Sequence, residues 1–141
     1  MIQSGDSRLL IGDLAEQVGL APSALRYYES AGLLAAEART DAGYRVYRPD
    51  AAHRVRFIRR AQSLGLKLSE IRSLIDAPRG TRESERARLG RVIASKIGET
   101  HSRIARLRAL AQELRGVEAA LKTQPPPECG HLGDCACWLP A

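Results

Sequence analysis

What this chain has little of narrows it first. No apolar run approaches the ~18–20 residues that a membrane span requires. The opening MIQSGDSRLL has no basic segment followed by an apolar core, so it does not read as a secretory signal. The expected location is therefore the cytoplasm, where thiols stay reduced. Cysteine is scarce: the three residues Cys129, Cys135 and Cys137 all fall within the last thirteen positions. An odd number in a reducing compartment does not make a disulfide framework. Lysine is scarce as well, three against nineteen arginines.

That imbalance is the first positive signal. The formal net charge is +6, carried almost wholly by arginine, whose forked hydrogen bonds suit phosphate and guanine. At 141 residues, 44% hydrophobic and 27% charged, the chain has room for about one domain plus an extension.

The first eighty residues alternate short amphipathic segments with turns. Ile11, Leu14, Ala15 and Val18 share one face of a helix that Gly19 ends. Pro22 opens a second helix, which carries Ala24, Leu25, Tyr28 and Ala31 on one side and stops at Gly32. Two short helices joined by a tight Gly-containing turn make a helix-turn-helix. Thr40 to Gly43 reads as a turn, and Tyr44 to Val46 alternates as a strand does, giving a small hairpin or wing. Asp50 is placed to cap a helix running to about Leu64, with Val55, Ile58 and Ala61 or Gln62 inward and Arg54, Arg56, Arg59 and Arg60 largely outward. Ser69 is the expected cap of the next helix, whose apolar face is Ile71, Leu74 and Ile75.

From about Glu83 to Leu121 there is no proline. Apolar residues follow a heptad, with Ile97, Ile104 and Ala111 in one column and Ile93, Leu107, Leu114 and Leu121 in the other. Thr100 and Glu118 interrupt that seam. Such a helix would span ~55–60 Å, too long to bury within one small domain. Its simplest partner is its own copy in a homodimer. Gln124-Pro125-Pro126-Pro127 ends it, and ECGHLGDCACWLPA follows.

In this order the segments are similar to the MerR family of bacterial transcription regulators. ALRYYESAGLL (24–34) resembles that family's recognition helix, DAGYRVYRPD (41–50) its wing, and RRAQSLGLKLSEIRSLI (59–75) the helix pair after the wing. The expected fold is mainly α: a winged helix-turn-helix DNA-binding domain over 9–78 after a tail at 1–8, a dimerisation helix over 83–122, and a short cysteine-containing metal-binding loop over 123–141. The resemblance implies an antiparallel coiled coil in the dimer, and a regulator rather than an enzyme.

Ser23, Arg26 and Tyr27 lie on the side of the second helix away from Leu25 and Tyr28, which makes them the candidates for major-groove contact. Arg45 on the wing and Arg39 beside it can reach phosphate or a minor groove, and the hydroxyl of Tyr44 or Tyr47 can bond a phosphate. Arg54, with His53 nearby, is a further phosphate candidate. The family's DNA contacts match Arg26, Tyr27 and Arg45. The resemblance also implies promoter DNA as the partner, distorted on inducer binding so that RNA polymerase can start, which makes the polymerase an indirect partner. No membrane partner is expected.

The tail carries the other chemistry. Cys129, Cys135 and Cys137, with His131 and Asp134 inside the loop, suit a soft or borderline ion: Cu(I), Zn(II), Cd(II) or Hg(II). Gly130 and Gly133 allow the loop to fold back. Within the family, the seven-residue separation of Cys129 and Cys137 is that of the copper(I)-sensing branch. Divalent sensors add a cysteine near the start of the long helix, where this chain has Thr81 and Ser84. Cu(I) therefore ranks first. Cys135 and His131 as extra ligands keep a divalent site open. The family's redox-sensing branch holds a [2Fe–2S] cluster through four cysteines; with three present, a cluster here would need His131 or Asp134 as its fourth ligand. The aromatic-lined effector domain of drug-binding relatives has no counterpart, since only Trp138 follows the long helix.

Overall fold

The computed structural model describes residues 8–123, 131–133 and 139. It divides into two units, one running to Ile93 and the other from Ala94.

In the first unit, β1 (Leu9–Leu10) leads into α1 (Ile11–Val18), and α2 (Pro22–Ser30) follows. The wing strands β2 (Ala38–Arg39) and β3 (Arg45–Tyr47) come next, then α3 (Ala51–Ser63) and α4 (Leu68–Asp76). The three strands form an antiparallel sheet in the order β1-β3-β2, with Leu9 opposite Tyr47 and Arg39 opposite Arg45. Strand β1 is a finding that the sequence did not suggest. Two residues are too short to show an alternation.

Local chemistry sets the boundaries. The Asp13 carboxylate accepts the Leu10 backbone N–H at 3.1 Å, satisfying one of the orphan donors where α1 begins. Gly19 then takes φ 64° and closes α1 by donating to the Ala15 and Glu16 carbonyls. Pro22 sits in the first turn of α2, as expected. Gly32 is constrained twice: its φ is +71°, and an added Cβ would lie 3.1 Å from the Arg72 guanidinium carbon. The start of α4 corrects the sequence reading. Its cap is Lys67, whose backbone N–H donates to Glu70 at 2.6 Å, so Ser69 lies inside the first turn and Ser73 donates to its carbonyl. The reach of Glu70 back to Lys67 sets the boundary before Ser69 can. Asp50 holds the cap position of α3 without a side-chain cap bond, and its carboxylate meets Arg48 at 3.5 Å instead.

Leu14, Leu25, Leu33, Tyr47, Val55, Ile58 and Ile71 are fully buried. They come from α1, α2, β3, α3, α4 and the loop after α2, with none from β1, β2 or the start of the long helix, and burying each large aliphatic contributes about 1.5–3 kcal/mol. Leu74, Ile75, Val92 and Ile93 pack against this cluster.

The arginines of α3 are exposed, as their periodicity suggests, and three of them are also hydrogen-bonded to other elements. Arg56 and Arg59 donate to the carbonyls of Gln17 and Val18 at 3.3 and 2.9 Å, and Arg54 Nε donates to the Leu33 carbonyl at 2.8 Å. Arg56 and Arg59 thus serve the negative end of the α1 dipole, where terminal carbonyls lack intrahelical partners. Sequence periodicity gave only their face.

The long helix α5 (Arg82–Thr123) has no buried residue. In the second unit, Ile97, Ile104, Leu107, Leu110, Leu114 and Leu121 are exposed. Lys96–Glu99 and Lys122–Glu118 pair along its surface at 2.8 and 2.7 Å. Ile93, assigned by periodicity to the heptad seam, packs on the core of the first unit instead.

Candidate functional site

Helix α2 divides its side chains cleanly. Leu25 and Tyr28 are buried, while Ser23, Arg26 and Tyr27 are exposed, Tyr27 by 55%. The Tyr28 hydroxyl donates to Gln62 Oε1 at 2.7 Å, which ties α2 to α3, and burial raises its pKa. Tyr28 is therefore a core member, and Gln62 contributes as its acceptor while Ala61 is the buried residue of that pair.

The wing turns through Thr40–Gly43, with Gly43 at φ +85°. The Thr40 hydroxyl accepts the Tyr44 backbone N–H at 3.1 Å, and Arg39 donates to the Gly43 carbonyl at 3.3 Å. This leaves Tyr44 63% exposed at the tip. Tyr47 is fully buried, so of the two wing tyrosines considered for phosphate contact only Tyr44 is accessible. Burial and then the adjacent Glu29 carboxylate push the Tyr47 pKa up to about 12, against the opposing charges of Arg45 and Arg26.

Arg45 is not an isolated cation. Its Nε lies 2.8 Å from Glu29 Oε2, with both side chains partly sheltered. Glu29 was missed from sequence, although an acid three residues beyond Arg26 in a basic motif was its visible signal. Arg54 and His53 are exposed near the start of α3, and Arg54 is steered by its bond to the Leu33 carbonyl. Seven candidates, Ser23, Arg26, Tyr27, Arg39, Tyr44, Arg45 and Arg54, thus all sit on the unit that has its own core, and all but Arg45 are exposed.

Cys129, Cys135 and Cys137 lie outside the described residues, as do Asp134 and Trp138. His131 is described and exposed, and its Nδ1 accepts the Gly133 backbone N–H at 3.4 Å. Among the described residues no group of three or more His, Cys, Asp or Glu side chains is placed to hold a metal. No described helix is long and apolar enough to cross a membrane.

Comparison with known proteins matches this architecture. The family described as MerR HTH family regulatory protein matches residues 9–78, and one described as MerR, DNA binding matches 52–117. The chain is 32% identical to the HTH-type transcriptional regulator ZntR of Escherichia coli K12, over 78% of each protein. The chain belongs to the MerR family. It is also 29% identical to heavy metal-dependent transcription regulator 2 of Rhizobium meliloti, over 89% of this chain and 85% of that one. Among solved structures, it is similar to the lead(II) complex of the transcription regulator PbrR691 from Ralstonia metallidurans CH34. That match has a TM-score of 0.68 and 30% identity, and covers 86% of this chain and 94% of the other. Members of the MerR family are DNA-binding transcriptional regulators and not enzymes, which agrees with the exposed polar face of α2 beside a wing.

Proposed function

We propose that this MerR-family chain binds promoter DNA as a homodimer and switches transcription when its C-terminal tail takes up a soft metal ion. The observation that carries the DNA part is the division of α2, with Leu25 and Tyr28 in the core and Ser23, Arg26 and Tyr27 turned outward. A recognition helix must meet both conditions at once. Arg39, Tyr44 and Arg45 on the wing and Arg54 on α3 supply backbone contacts that set register. The exposed Ile97, Ile104, Leu107 and Leu114 supply the seam for a second copy as an antiparallel coiled coil, and two reading heads then face two half-sites.

The donor set of the tail fits a metal: three thiols and the His131 imidazole within nine positions of sequence. Cys129 and Cys137 are the principal ligands in this reading, with Cys135 and His131 as additional donors. Cu(I) ranks ahead of Zn(II), Cd(II) and Hg(II). At the start of α5, where divalent sensors of the family place a cysteine, Thr81 Oγ1 accepts the Ser84 N–H at 3.2 Å, so hydroxyls do the work of a helix cap there. A [2Fe–2S] cluster, with three cysteines present, is the weaker alternative within the family. Support for a metal comes from the heavy metal-dependent relative and from the lead(II) complex of PbrR691. The bound ion acts by favouring one dimer geometry over another. Promoter distortion, at a cost of a few kcal/mol, is the output that lets RNA polymerase start. Such a protein works in the cytoplasm.

The test is titration of reduced protein with Cu(I) against a competing chelator, then with Zn(II), Cd(II) and Hg(II), alongside an in vitro transcription readout. Cys129→Ser and Cys137→Ser each abolish induction and leave DNA binding intact, while Cys135→Ser does less. Equal damage from Cys135→Ser replaces the two-thiolate site with a higher-coordinate divalent one. Metal response in all three variants removes the tail as sensor.

A further inference from the structure

The reading surface contains a residue whose charge is wrong for it. Glu29 is the single acid of α2, on the helix that presents Arg26 and Tyr27. A carboxylate beside a phosphate backbone weakens binding to any duplex. Its geometry explains what it does there. The side chain is 15% exposed, and Oε2 meets Arg45 Nε at 2.8 Å. Arg45 shares β3 with Tyr47, whose buried hydroxyl has no hydrogen-bond partner among the described residues. One carboxylate therefore links α2 to β3, the two elements that carry most of the candidate DNA contacts. The pair is made through Nε of Arg45, whose side chain remains 35% exposed.

We propose that Glu29 is a positioning residue for sequence discrimination, holding Arg45 and the wing in fixed relation to the recognition helix at the expense of general affinity for DNA. The proposal rests on the DNA-binding reading above. A partly sheltered ion pair adds little to folding stability but fixes orientation, because a charge removed from water is satisfied in one geometry only. Without Glu29 the Arg45 side chain gains rotamers and engages whichever phosphate is nearest. Loss of the acid then tightens non-specific binding and weakens the specific complex.

The test uses full-length protein, a duplex enriched by wild type from a random library, and a scrambled control. Wild type that enriches no sequence removes the DNA-binding reading itself, whatever Glu29 does. Given an enriched duplex, Glu29→Gln should bind the scrambled control more tightly with a salt slope steeper by about one. It should bind the enriched duplex more weakly, so that discrimination falls about tenfold, the loss expected for one charge-assisted contact. Glu29→Asp keeps the charge but is a methylene short of Arg45, and it should lose discrimination without the gain on scrambled DNA. Equal tightening of Glu29→Gln on both duplexes makes the acid a mere repulsive charge and overturns the proposal, as does full discrimination by Glu29→Asp. Equal weakening on both overturns it in favour of a structural role. If Glu29→Gln enriches a different sequence with undiminished discrimination, Glu29 reads a base directly and positioning is wrong.

Discussion

The two units of the chain use aliphatic residues in opposite ways. In the first, Leu14, Leu25, Val55, Ile58 and Ile71 leave no surface to solvent. In the second, Ile97, Leu107, Leu114 and Leu121 are each about half exposed on a continuous helix. Short helices at changing angles enclose a core among themselves, while one straight helix cannot wrap around its own apolar stripe. The first unit encloses its own buried core. The second displays an exposed seam, and under the homodimer proposed above its burial would require another chain, so its stability would depend on concentration.

The largest expected effect breaks the comparison on the helix side. Leu107→Asp puts a carboxylate into the seam, and dimer affinity should fall by about a hundredfold or more, since each ~1.4 kcal/mol is tenfold. Light scattering should then report a monomer, while circular dichroism should still show a folded, cooperatively melting protein. A dimer of unchanged affinity would show that the seam is not the interface. On the other side, Ile58→Ala should cost about 2–5 kcal/mol through its cavity and lower the thermal midpoint, with no change in dimer mass. A loss below 1 kcal/mol would mean that this core is not the source of stability.

A pH experiment sharpens the contrast. The folded Tyr47 pKa is pushed up to about 12 from an ordinary 10.0. Its contribution is whole below pH 10 and is lost as pH rises toward 12, because the unfolded state ionises first. The shift corresponds to about 2–3 kcal/mol in the first unit by pH 12. Tyr47→Phe should flatten that alkaline loss in denaturant titrations monitored on the first unit. A slope identical to wild type would assign it to other groups. The smallest effect separates surface from core within the first unit. Arg26→Ala should lose about 1–3 kcal/mol of specific DNA affinity without moving the thermal midpoint, whereas equal losses on specific and random duplexes would show that Arg26 reads no base.

Much of this was legible in the sequence because it is periodic or punctuated. Ile11-Leu14-Val18, Gly19, Pro22 and the Thr40–Gly43 turn each report a local rule, and the structure follows them. What escaped was non-local. Strand β1 exists because Tyr47 and Val46 are there to pair with it, and no window around Leu9 contains that fact. Arg56 and Arg59 fit an outward pattern, yet their acceptors are carbonyls 39 and 41 positions away. Ser69 lost the cap of α4 to a competitor, since Glu70 reaches back to Lys67. Glu29 was hidden for the same reason as β1: its meaning lies in Arg45, on another element. The thiols of the tail lie outside the described residues, and their role as ligands rests on residue type and spacing alone.

The pairing of Leu9 with Tyr47 also sets a timetable. A chain made from its N-terminus releases Leu9 long before Tyr47 exists, and Ile58 and Ile71, which complete the core, come later still. At roughly 5–20 residues per second, the first strand and helix wait a few seconds for their partners. Leu14 and Val18 are bare during that interval. The seam of α5 is made later in synthesis, and in the proposed homodimer it stays open until a second finished molecule arrives, so that its wait would lengthen as expression falls. If the proposed dimer holds, one protein carries two exposures of apolar surface, the first timed by the ribosome and the second by the abundance of its own kind.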